Sequence, residues 1–112
     1  MDPIRETKQL PEDAWLGFFS TLSTENRNRP VTVELISPEL GDQIIVEGAP
    51  LMAVDYDPAD VGDNLVVTTG EESLEHVIQE PREVWLARDE LGRVEVIEVV
   101  DGEGSRTLIK LD

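Results

Sequence analysis

The stretch VWLARDELGRVEVIEVVDGEGSRTLIKL, residues 84–111, decides the fold. Its three apolar runs, Val84–Arg88, Val94–Val100 and Thr107–Leu111, are joined through Asp89-Glu90-Leu91-Gly92 and Asp101-Gly102-Glu103-Gly104. Short glycine-containing connections between alternating runs signal antiparallel hairpins, so this segment predicts a three-stranded meander. Within Val94–Val100 the apolar phase moves from Val94 and Val96 to Ile97 and Val99. Such a shift points to a bulge, a bend or a stretch buried on both faces.

Upstream of the meander the strand-like period persists. Val31, Val33 and Leu35 alternate with Thr32 and Glu34, a half-buried strand over 31–36. Ser37–Asp42 reads as a turn, Gln43–Glu47 as a second strand, and Gly48-Ala49-Pro50 as a break before a third strand, Leu51–Tyr56. Asp57–Asp63 is an acidic loop, and Asn64–Thr69 and Leu74–Gln79 are further strands, with Glu80-Pro81-Arg82 separating the latter from the meander.

The period is helical only near the start. Pro11 suits a first helical position, and Glu12 and Asp13 follow where the helix dipole favours negative charge. Trp15, Phe18, Phe19 and Leu22 fall at i, i+3, i+4 and i+7, an apolar stripe that ends before Pro30. One helix and seven or eight short strands predict an α+β, mainly β domain. Its amphipathic N-terminal helix packs on a curved antiparallel sheet, and the curvature suggests closure into a small SH3-like or Sm-like barrel. Residues 1–9 are expected to form a flexible or extended lead-in and residues 10–112 a single domain.

The 112 residues carry a net charge of −16, nearly all of it in residues 30–112. Such a field repels phosphate backbones and anionic lipid surfaces, so neither nucleic acid nor membrane is an expected partner. With lysine confined to Lys8 and Lys110, the same surface also suits solubility in a salty cytoplasm, where the charges are screened. No cysteine is present, which excludes disulfides, thiolate metal sites and cysteine nucleophiles. The polar start MDPIRETKQL does not read as a secretory signal, and a cytoplasmic location is expected.

Three features together resemble a bacterial family of short proteins known only as a domain of unknown function. They are the helix with Trp15-x-x-Phe18-Phe19, the Gly41-Asp42-Gln43 step into an apolar strand, and His76-x-Ile78-x-x-Pro81-x-x-Val84-Trp85-Leu86. The resemblance spans nearly the whole chain. It implies a free-standing bacterial domain and carries no activity with it.

Few residues invite chemistry. His76, the single histidine, stands beside Glu75 and could serve as a base or a ligand. The plainer expectation is a strand histidine hydrogen-bonded to backbone or to a nearby acid. Asp55, Asp57, Asp60 and Asp63 are the candidate metal ligands, since closely spaced aspartates can hold calcium or magnesium weakly. The EF-hand pattern fails, because Asp60 stands where glycine is needed and Val66 where the closing glutamate belongs. Isolated glycines form no phosphate-binding loop. The aromatic stripe is expected in the core, and Arg27 and Arg29 are expected to cap the helix.

These features predict a non-catalytic protein-interaction or self-assembly module, with no enzyme activity and no cofactor. The alternative is a small-ligand or divalent-cation binder using the acidic loop. A third reading, Sm-like RNA binding, runs against the charge.

Overall fold

A computed structural model describes residues 6–112. Strand β1 (Glu6–Leu10) leads through a 3-10 turn (Glu12–Ala14) into helix α1 (Trp15–Glu25). Seven strands follow: β2 (Pro30–Ser37), β3 (Gly41–Asp57), β4 (Asn64–Thr69), β5 (Leu74–Gln79), β6 (Pro81–Arg88), β7 (Val94–Asp101) and β8 (Arg106–Leu111). They form one eight-stranded sheet in the order β1-β6-β7-β8-β2-β3-β4-β5. Every pairing in it is antiparallel.

The meander is present as read from 84–111. Its phase shift is a bulge: Ala87 pairs with Val96 and Arg88 with Val94, so Glu95 is the extra residue on β7. Ile97 and Val99 are thereby turned into the core. Two near-identical turns close the hairpins. The Asp89 N–H donates to the Arg93 carbonyl and the Asp101 N–H to the Ser105 carbonyl. Gly92 and Gly104 take φ of 82° and 84° at the left-handed position each turn requires.

The break expected at Gly48-Ala49-Pro50 is instead a bend inside one strand of 17 residues, β3. Val31 pairs with Ala49 and Val33 with Val46, so Glu47 and Gly48 together oppose Thr32. Gly48 adopts φ 65° there, and its N–H donates to the Thr32 hydroxyl at 3.3 Å. Pro30 and Pro50 face each other across the ladder, where neither has an N–H to give. Bulges raise local twist, which lets β3 pair with β2 at one end and β4 at the other. The sheet curls but ends at β1 and β5, and its ladder does not close into a barrel.

Two expectations near the N-terminus are modified. Residues 1–5 of the lead-in lie outside the described residues, whereas 6–10 form β1, paired from Glu6 with Arg88 to Leu10 with Val84. The pairing satisfies the backbone groups that β6 would otherwise expose at the sheet's end. Pro11 does not begin α1 but precedes the 3-10 turn that leads into it: it stays extended, and its carbonyl accepts from the Ala14 N–H at 2.9 Å. The Trp15 indole N–H donates to the Leu10 carbonyl at 2.9 Å, fixing the corner between strand and helix. Trp15, Phe19 and Leu22 are buried as the stripe predicts, packed with the inward valines, leucines and isoleucines of the sheet. Burial of side chains this size stabilises by about 1.5–3 kcal/mol each.

Candidate interaction site

Strand β5 is one edge of the sheet. Among the described residues it pairs only with β4, in a ladder of six residue pairs without a register shift. Its alternation puts Leu74, His76 and Ile78 on one face and Glu75, Val77 and Gln79 on the other. Ile78 reaches the core, but Leu74 and Val77 remain 56% and 43% exposed. The acids Glu71, Glu72, Glu75 and Glu80 border this edge, all of them exposed. Arg82 lies 3.5 Å from Glu80.

His76 fastens the edge from within. Its Nε2 sits 3.3 Å from the hydroxyl of Thr107, a buried residue of β8. The partner is thus a distant hydroxyl, not the backbone or acid expected from the sequence. Glu75 points to the opposite face because successive strand residues alternate. Burial lowers the pKa of His76 below the ordinary histidine value, which favours the neutral ring.

The four candidate aspartates are not gathered around one point. Asp55 and Asp57 are exposed on β3 and Asp60 is exposed in the following turn. Asp63 sits at φ 54° and faces Arg82 at 3.4 Å. The turn between them is held by the Pro58 carbonyl, which accepts from the N–H groups of Val61 and Asp63. Among the described residues, no group of three or more histidine or acidic side chains is placed to hold a metal ion.

Trp15 and Phe19 of the aromatic stripe are core, Phe18 is half-buried at its margin, and the stripe has a partner that no local pattern marks. Tyr56 meets Trp15 edge-on at a centroid distance of 5.3 Å. Burial, followed by the charges of Glu12, Asp63 and Asp60, raises the Tyr56 pKa. Trp85 lies half-buried, its indole N–H donating to Glu83 at 2.9 Å.

Asn26, and not Arg27 or Arg29, caps α1. The carbonyl of Leu22 receives both the backbone N–H and the side-chain amide of Asn26, each at 3.0 Å. Arg29 in turn donates to the Asn26 side-chain oxygen at 3.1 Å and to the Asp112 backbone carbonyl at 3.0 Å. A short amide one residue past the helix reaches its last carbonyls more directly than a long guanidinium does. Arg27 is exposed.

Ser23 is a second link between α1 and the sheet. Its hydroxyl accepts the Val54 N–H at 2.8 Å, tying α1 to the C-terminal part of β3. Nothing in the local sequence marks this serine, because its partner lies 31 residues away.

A family model described as a family of unknown function (DUF5335) matches residues 6–112. An uncharacterized protein of Aquifex aeolicus (strain VF5) is similar, at 33% identity over 105 residues. That alignment covers 94% of this chain and 91% of the relative. No solved structure matches the chain.

Proposed function

The chain belongs to the DUF5335 family of unknown function, in keeping with the uncharacterised bacterial family its motifs resemble. From that premise we propose that it is a non-catalytic interaction module whose β5 edge takes up an extended, basic segment of a protein partner. The observation that carries this reading is the edge itself. Natural edges are blunted by charged side chains, lysine above all, and by proline, bulges or short length. The β5 segment Leu74–Gln79 has no lysine, no proline and no bulge; its one charge is the acid Glu75, and it exposes Leu74 and Val77. The opposite edge, β1, carries Lys8.

Strand addition at such an edge draws affinity from main-chain hydrogen bonds and specificity from alternate side chains. Charge selects the occupant. Two copies of a −16 chain pairing edge to edge would bring Glu71, Glu72 and Glu75 of each into one strip. A segment alternating apolar with Lys or Arg residues would place its charges against those acids. The non-catalytic reading is supported by His76, whose partner is a hydroxyl and not a carboxylate.

A barrel-like curvature suits this role. A single residue, Glu80, joins edge strand β5 to β6, the neighbour of the opposite edge strand β1. The two ends of the sheet thus approach one another at this corner, and an added strand would extend the sheet along β5.

Amide-resolved NMR and hydrogen exchange with an alternating Lys–Val peptide test the proposal, with a Glu–Val peptide as control. The Lys–Val peptide should protect amides of 74–79, weaken with salt and lose binding to the L74K/V77K variant. Protection of those amides in a peptide-free dimer would assign the edge to self-association instead. No protection by the Lys–Val peptide, or equal protection by both peptides, would overturn the proposed partner.

A further inference from the structure

No helix of the described residues lies on the outer face of strands β6, β7, β8, β2 and β3: α1 sits on the other side, with Trp15, Phe19 and Leu22 in the core. One row of side chains crosses that outer face. Trp85 stands opposite Glu98, Glu98 opposite Leu108, Leu108 opposite Glu34, and Glu34 opposite Ile44. Their chain neighbours Val33, Val84, Leu86, Ile97, Val99 and Ile109 are buried, so the row points away from the core. In the next row of the same face, Val100 stands opposite Arg106 and Arg106 opposite Ile36.

The charges of this face answer one another. Arg106 lies 2.8 Å from Glu98 and Lys110 2.8 Å from Glu34, while Glu83 accepts the Trp85 indole N–H at 2.9 Å. Each of these carboxylates therefore has a donor, and the exposed Asp42 lies at the β3 rim, opposite Ile36. In a chain with a net charge of −16 this is a nearly neutral surface, one that can leave water without stranding a charge. The face also has a recess and a projection. Thr7, Glu83, Trp85, Glu98, Val100 and Arg106 line a groove of ≈ 310 Å³ at its β6 end. Ile44 projects from its β3 end, 60% exposed, and Leu108 stands midway between Ile44 and Trp85 in the row.

We propose that this face binds a second copy of the chain about a two-fold axis near Leu108, so that Ile44 of each copy enters the other's groove beside Trp85. A recess and a projection on opposite sides of a central point are what a two-fold contact needs, because residue i then meets j and j meets i. The paired charges remove the like-charge repulsion that opposes contact between two copies elsewhere on the surface. Five strands about 4.8 Å apart and rows about 7 Å apart make a patch of about 600 Å² per copy, the lower limit for a specific interface. The dimer is accordingly weak and concentration-dependent. The face is separate from the β5 edge and does not depend on the reading given to that edge.

Sedimentation velocity from about 10 to about 500 µM protein, at about 0.05 and 0.5 M KCl, tests the assignment. A monomer–dimer equilibrium should appear and tighten several-fold at the higher salt, because screening weakens the repulsion of two acidic chains and leaves apolar burial in place. A basic peptide on β5 would respond to salt in the opposite sense. I44S, a neutral change at an exposed position, should fold as wild type and weaken the dimer at least about tenfold, since the contact is lost twice. The Trp85 indole N–H signal should shift with protein concentration in wild type and stay fixed in I44S. L74S/V77S, which trims the apolar surface of β5, should dimerise as wild type does. A monomer at every concentration and salt, a dimer that salt loosens, or one that I44S leaves intact or L74S/V77S abolishes would overturn the proposal.

Discussion

The Nε2 of His76 lies 3.3 Å from the Oγ1 of Thr107, joining edge strand β5 to β8. In the sheet order those strands are separated by β2, β3 and β4, so the contact crosses the concave face. It gives the edge a second attachment besides its ladder with β4, and it places the chain's single imidazole where protonation opposes burial.

That placement sets a pH dependence. Burial lowers the native pKa of His76, while the unfolded chain titrates near the ordinary value of about 6.5. Between those values the unfolded state binds more protons, so stability falls as the pH drops through that interval and then levels off. Urea denaturation between pH 8 and 5 should show this slope in the wild type and lose it in H76Q. Parallel curves for the two proteins would remove His76 as the cause.

Ser23→Ala should destabilise the protein by about 1–3 kcal/mol, because it strands the Val54 N–H without an acceptor. The hydroxyl accepts that N–H at 2.8 Å, and its own proton can go to the Phe19 carbonyl at 2.9 Å or the Val54 carbonyl at 3.0 Å. Val54 is in the core, so water does not readily replace the serine. Hydrogen exchange at Val54 should accelerate in S23A. An unchanged exchange rate would show that the helix is not tied to β3 through this residue.

Asp89 and Asp101 occupy equivalent positions in the two meander turns, yet D89N should be the more damaging change. Each carboxylate accepts two backbone N–H groups, but only Asp89 also receives an arginine Nε. The Arg93 backbone N–H lowers the Asp89 pKa most; burial opposes it, and the Arg93 side chain and the Leu91 N–H lower it further. A lowered native pKa contributes stability above the ordinary carboxylate value, and that stability is lost as the pH falls through the native one. Thermal melts at pH 7 should place D89N several degrees below wild type and below D101N. The D89N deficit should shrink on acidification towards the native pKa.

What the sequence disclosed was local periodicity and turn chemistry. The meander and the buried faces of Trp15, Phe19 and Leu22 follow from spacing alone, since period and glycine position act within a few residues; the phase shift on β7 was visible too, but its being a bulge and not a bend or a doubly buried stretch is set by the register with β6. What stayed hidden depends on distance. Glu6–Leu10 is a strand because β6, more than 70 positions later, offers it a free edge. Gln43–Glu47 and Leu51–Tyr56 are one strand because β2 and β4 hold its two ends, and no local signal separates a bulge at Gly48 from a break. At the candidate site, the acids around β5 were visible but its status as an edge was not. Edge position is set by the order of the whole sheet.

Gly48 and Gly17 should respond to alanine with opposite signs. Gly48 holds φ 65° in the β3 bulge, and an added Cβ would meet nothing within 4 Å, so the cost of G48A is one of backbone strain alone. That strain is about 1–2 kcal/mol. G48N should recover part of the loss, because asparagine tolerates the left-handed region better than other side chains. Gly17 is exposed within α1 and also has open space around its Cβ, so G17A should stabilise by about 0.5–1 kcal/mol through helix propensity. The sites share no partner, and the double variant should show the sum of the two effects in urea denaturation. A neutral G48A would mean that the bend in β3 does not require a left-handed residue, and that the strand's continuity across 41–57 has another origin.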